Sequence, residues 1–177
     1  MLFRSGVGPL MTEVAAEVGD GYFVHPFHTA ESLEVLSRPA LERGLARAGK
    51  SAEDFVISAQ VITATGQTEE EMDAAMFSAR HQLAFYASTP AYLPVLAVHG
   101  LEALQPEAGA LLKAGKWAEV AGLVSDDILH QFALVGTPAE VAAGLRQRFD
   151  GRVDRVSPVI YSPQTELLAE LIGEIRK

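Results

Sequence analysis

The chain has 177 residues, 49% hydrophobic and 21% charged, a composition that suits a globular domain with one core and excludes a disordered or fibrous protein. Fourteen Lys and Arg against 23 Asp and Glu leave a net charge of −9, so a partner held by phosphate neutralisation, nucleic acid above all, is not expected. With no cysteine, no apolar run of about 18 residues and no basic-then-apolar leader, disulfides, thiolate metal sites, a membrane span and a secretory signal are not expected either, and the reading is a soluble cytoplasmic protein.

The first element runs from Pro9 to Val18, where Leu10, Met11, Val14, Ala15 and Val18 recur at helical spacing; this predicts a helix with that stripe inward and Gly19 as its stop. Asp20-Gly21 then turns the chain into Tyr22-Phe23-Val24-His25, which reads as a buried strand closed by Pro26. Thr29 caps a second helix, bent at Pro39, with Leu33, Leu36, Ala40, Leu41 and Leu45 inward and Gly49 at its end. Residues 55–65 are nearly continuous in β formers and predict the strongest strand, ended by Gly66. Thr68-Glu69-Glu70-Glu71 is a capping box, its acidic triplet complementing the helix dipole, and Met72, Met76, Ala79, Leu83 and Tyr86 form the stripe of the helix it opens.

Short helices over 90–99, 106–114, 116–124 and 126–134 read as an inserted helical layer, one that covers the mouth of the fold or forms a homodimer contact. Thr137-Pro138-Ala139-Glu140 is a second capping box and opens a helix through Phe149, carrying Val141, Leu145 and Phe149 inward. Residues 153–161 predict a third strand, and Ser162-Pro163 leads into a last helix with Leu167, Leu168, Leu171, Ile172 and Ile175. Strands separated by helices imply an α/β fold with a parallel sheet. Three such strands leave two open edges, and the opening helix is preceded by at most a stub at Met1-Leu2-Phe3, so further sheet is expected upstream.

Several blocks resemble one family. The run from Gly6 to Phe27, and the stretches Pro39 to Leu45, Leu83 to Tyr92 and Val135 to Val141, are similar to luciferase-like oxidoreductases, most of all to the branch that uses the deazaflavin coenzyme F-420. The resemblance implies the carboxy-terminal half of a TIM-type (β/α)8 barrel, a fold of roughly 250 residues, with the missing amino-terminal half as partner. It implies hydride transfer between F-420 and a small organic substrate; the flavin-using monooxygenases share these blocks, so an FMN-dependent monooxygenase is the alternative. The catalytic acid and base are then expected in the absent half. From another class comes the reading of a non-catalytic α/β binding module complete in itself. Leu2-Phe3-Arg4-Ser5 also matches the translated end of a common sequencing adapter, so residues 1–5 are expected to be a non-native leader and the domain to span 6–177.

Gly6-x-Gly8-Pro9 precedes a helix, where exposed amides and absent Cβ atoms admit an anion; this is either a plain turn or, given the resemblance, a cofactor-phosphate site made by Gly6, Val7, Gly8 and Pro9. His25 stands at a strand end, where parallel barrels place their active sites, and either lines the cofactor pocket or bonds a neighbouring loop. His28 follows three residues on, but no spacing supplies a third ligand, so a metal is not expected. Thr65-Gly66 and Ser157-Pro158 are further candidates at strand ends, and Asp20 reads as structural. His81, His99 and His130 read as solvated or core-edge, Met72 and Met76 beside Phe77 and Phe85 as packing, and Trp117 as an interhelix anchor. The nucleophile elbow and P-loop motifs of hydrolases and nucleotide triphosphatases do not occur.

Overall fold

Among the described residues, every strand pairing is parallel. The computed structural model describes residues 1–161 and 165–176. Strands β1 (Phe3–Ser5), β2 (Gly21–Val24) and β3 (Val56–Ala64) lie side by side, and the far flank of the sheet is formed from β4 (Leu134–Val135) and β5 (Arg155–Val159). Both pair with β3: β5 along Ser58 to Ile62 and β4 at Thr63 and Ala64. Among the described residues the sheet therefore has five strands rather than the three expected. The two that escape the sequence have three and two residues, too few to display a period of two.

Helix α1 (Pro9–Val18) has the expected bounds but the opposite orientation. Leu10, Met11, Val14 and Val18 are 71%, 52%, 37% and 55% exposed, while Thr12, Glu13, Ala15 and Ala16 face inward. The cause lies across the interface, in α3 (Arg38–Ala48). A Cβ on Gly44 would collide with the Glu13 carbonyl oxygen and lie 2.8 Å from the Ala16 Cβ, so the two helices meet backbone to backbone through small residues. The Glu13 carboxylate, carried inward by this orientation, is held by Arg43 at 3.0 Å and by Arg47, which also pairs with Glu17.

Between β2 and α3 the chain forms a short helix α2 (Ala30–Ser32), capped reciprocally by Thr29, and then a π turn over Leu33–Ser37. The bend anticipated at Pro39 is this wide turn: proline has no N–H for the preceding α-helical rung, and Arg38 N–H reaches back to Leu33 instead. Helix α4 (Glu69–Ala87) begins at the expected capping box. Its buried face is Ala75, Ala79, Leu83, Ala84 and Ala87, which leaves Met76 and Tyr86 at the margin.

The inserted layer is present as α5 (Leu93–Ala97), α6 (Leu104–Lys113), α7 (Trp117–Val120) and α8 (Asp126–Phe132). Leu96, Ala108, Val120, Leu129 and Phe132 join α4, Ile62 and Ala64 in one apolar cluster. A second cluster unites Ala59 and Val61 of β3 with α1, α3, α9 (Pro138–Phe149) and α10 (Thr165–Ile175). Alternation along β3 thus feeds two cores, as period two requires. Ser162 and Pro163, expected to lead into α10, lie outside the described residues; within α10, Leu167 and Leu171 are buried.

The register also sets a row Ser5, Phe23, Ser58 and Arg155 across four strands. Phe23 in this row is 41% exposed, and the Arg155 guanidinium lies 5.8 Å over the Phe3 ring. No helix among the described residues is long and apolar enough to cross a membrane.

Candidate functional site

The turn from β1 into α1 is locked from below. Tyr22 on β2 donates its hydroxyl to the Gly6 carbonyl at 2.7 Å, and Thr12 donates to the Gly8 carbonyl at 2.9 Å. The two hydroxyls lie 3.1 Å apart, and burial raises the pKa of Tyr22, so it remains a donor. Gly8 has φ of 82°, a conformation that glycine adopts without a Cβ penalty, and Pro9 at the first helical position has no N–H to satisfy. With the Gly6 and Gly8 carbonyls engaged in this way, the positive dipole end of α1 begins at the turn, a setting that favours an anion.

His25 follows β2 directly and is fully engaged. Its Nδ1 accepts the Phe27 N–H at 3.1 Å and its Nε2 lies 3.0 Å from the Tyr92 hydroxyl. The ring stacks on Tyr92, with centroids 4.8 Å apart and 26° between planes, and meets Tyr86 edge-on at 4.8 Å. Burial holds its pKa below the ordinary histidine value, so the ring is neutral at pH 7.

His28 shares the loop. Its Nδ1–H donates to the His25 carbonyl at 2.8 Å, which leaves Nε2 as an acceptor that is buried and unpartnered among the described residues. Burial, the largest influence, pushes its pKa down to about 4. Such an orphan is uncommon in folded proteins and marks a place for water or a ligand donor.

These groups converge. A cavity of about 60 Å³ is lined by Gly6, Val7, Gly8 and Pro9 together with His25, His28 and Tyr92, its apolar wall including Val24, Phe27 and Val95. Every residue singled out for cofactor contact from the sequence therefore lies on one recess. Tyr92, which sequence reasoning placed in a matching block without a role, lies on it too; the only signal was that block.

The remaining candidates lie elsewhere. Thr65 is fully buried and its hydroxyl has no partner among the described residues, while a Cβ on Gly66 would meet the Met72 amide nitrogen at 2.6 Å, so Gly66 serves the start of α4. Ser157 and Pro158 pair with Gln60 and Val61 within the sheet. Asp20 accepts the Leu2 N–H at 2.6 Å, a structural tie. His81 stacks on Trp117, itself half-exposed, and His130 Nδ1–H donates to Asp126 O. His99 bridges Thr29 and Gln131. Among the described residues no three His, Asp or Glu side chains converge in a way that could hold a metal ion.

Comparison with known proteins identifies the family of the chain. The pattern of the luciferase-like monooxygenase family matches residues 2–155. An uncharacterized protein of Mycobacterium tuberculosis is 42% identical over 176 residues, covering 99% of this chain and 52% of the relative. The 5,10-methylenetetrahydromethanopterin reductase of Archaeoglobus fulgidus is 33% identical over 182 residues, covering 98% and 52%. The solved coenzyme F-420-dependent tetrahydromethanopterin reductase of Methanopyrus kandleri superposes with a TM-score of 0.78 at 23% identity, over 97% of this chain and 48% of that one. The chain spans about half the length of the curated relatives it matches.

Proposed function

Because the chain belongs to the luciferase-like monooxygenase family, we propose that it is the carboxy-terminal half of a barrel oxidoreductase that transfers hydride between the deazaflavin coenzyme F-420 and a small organic substrate. The observation that carries this reading is the convergence of the Gly6–Pro9 turn and His25 on one cavity. The names of the relatives support the choice of coenzyme. The residues present fit such a group: a glycine turn before a helix for its phosphate, an apolar wall, and an unpartnered buried acceptor at His28.

When bound, the deazaflavin supplies the redox chemistry, carrying two electrons and a proton as hydride. The chain's own contribution is placement. The amides at the start of α1 would hold the phosphate, Tyr22 and Thr12 would keep the turn carbonyls from facing it, and Val24, Phe27 and Val95 would exclude water.

Calorimetric titration of the purified chain with F-420 and with FMN tests this. F-420 is expected to bind, and Gly8→Ala to weaken it at least tenfold, because alanine is strained at φ of 82° and the turn must rearrange. Preference for FMN, with oxygen consumption by the full-length parent, would transfer the protein to the monooxygenase reading. Binding of neither coenzyme, in a chain that melts cooperatively, would favour a non-catalytic module.

A further inference from the structure

His25 lines the cavity yet has no nitrogen left for a ligand. A neutral imidazole that accepts the Phe27 N–H at Nδ1 must carry its single proton on Nε2. Nε2–H therefore donates to Tyr92 across 3.0 Å, and the Tyr92 oxygen is the acceptor. Its own O–H must then point away from His25, and among the described residues no protein acceptor takes it. Stacking of the two rings, with Tyr86 edge-on against His25, opposes rotation that would reverse this order.

We propose that Tyr92 is the hydrogen-bond donor this cavity presents to a carbonyl or anionic oxygen of its ligand, and that His25 is a positioning residue that turns that donor toward the ligand. The proposal rests on the coenzyme reading above for its probe and adds two roles to it. The groups facing His25 are Phe27 and His28 from its own loop, Tyr92 from the turn before α5, and Tyr86 from α4. No Asp, Glu, Lys or Arg is among them, so no ionic partner bears on the donor order. Burial also keeps the Tyr92 proton in place, raising the phenol above its ordinary value.

The experiment has two arms. Nitrogen-15 correlation spectra of the histidine rings report the tautomer without any ligand: His25 is expected to be protonated on Nε2, and protonation on Nδ1 overturns the positioning role. Calorimetric titration with F-420 then compares the wild-type chain with Tyr92→Phe, His25→Phe and the double variant. Tyr92→Phe is expected to lose about tenfold in affinity, the scale of one hydrogen bond, in a chain that still melts cooperatively although its melting temperature falls with the orphaned His25 Nε2–H. His25→Phe is expected to lose a similar factor alone and nothing further when Tyr92 is already phenylalanine, whereas additive losses overturn action through Tyr92. His25→Gln, whose amide can both accept and donate, is expected to restore part of the loss and keeps the test open should His25→Phe fail to fold. Equal F-420 affinity in wild type and Tyr92→Phe overturns the donor role while the coenzyme reading stands. No F-420 binding to the wild-type chain defeats the coenzyme reading and the donor role together, leaving the tautomer spectra to decide the hydrogen-bond order.

Discussion

His28 cannot accept a second proton without placing a charge in an apolar loop. Its pKa of about 4 lies below the ordinary 6.5, so between those values the unfolded chain binds more protons than the folded one. Stability is therefore complete above pH 6.5 and falls as pH drops toward 4, by about 3 kcal/mol if the whole shift is expressed. His28→Asn keeps a donor for the His25 carbonyl and removes the titration. Urea midpoints at pH 7, 5.5 and 4.5 are expected to decline less steeply in this variant, and an identical decline would contradict the burial argument. His25 and His99 are depressed in the same direction, so part of the decline persists. Glu13 and Glu34, held low by arginine partners, begin to lose their contribution only as pH reaches the ordinary carboxylate value at the acid end of this series, and do so alike in both proteins.

At the level of elements, α1 and α3 depend on one glycine. Gly44→Ala places a methyl against the Glu13 carbonyl and forces the helices apart, with an expected loss of about 1–3 kcal/mol readable by thermal or urea unfolding. A neutral outcome would mean that the crossing is looser than described. This crossing also explains what the sequence conceals. Periodicity identifies Leu10, Met11, Val14 and Val18 as neighbours on one face of α1, but not which face a partner covers, and here the small residues win the contact. The capping boxes of α4 and α9 were legible because the signal is local, four residues that bond one another. Strands β2 and β3 were legible from their β-former content, whereas β1 and β4 exist only through pairing with β2 and β3 respectively. The same divide runs through the candidate site. Gly6–Pro9 is read from glycines directly before a helix and from the family resemblance, and His25 from its place at a strand end, but the His25–Tyr92 bond spans 67 positions, and the orphaned Nε2 of His28 is a fact of packing.

For the molecule as a whole, the exposed stripe of α1 adjoins β1, whose outer edge has no strand partner among the described residues. Open edges and apolar patches invite association. Sedimentation velocity on the isolated chain is expected to show faster species as concentration rises, reduced in a Leu10→Gln, Met11→Gln double variant; a single slow species at every concentration would speak against it. The row Ser5, Phe23, Ser58 and Arg155 adds a chemical requirement. Any segment that folds across this face strips water from the guanidinium above Phe3, at a cost of several kcal/mol unless an anion meets it. An aspartate or glutamate opposite Arg155 is thus the mark expected of any segment that covers this face.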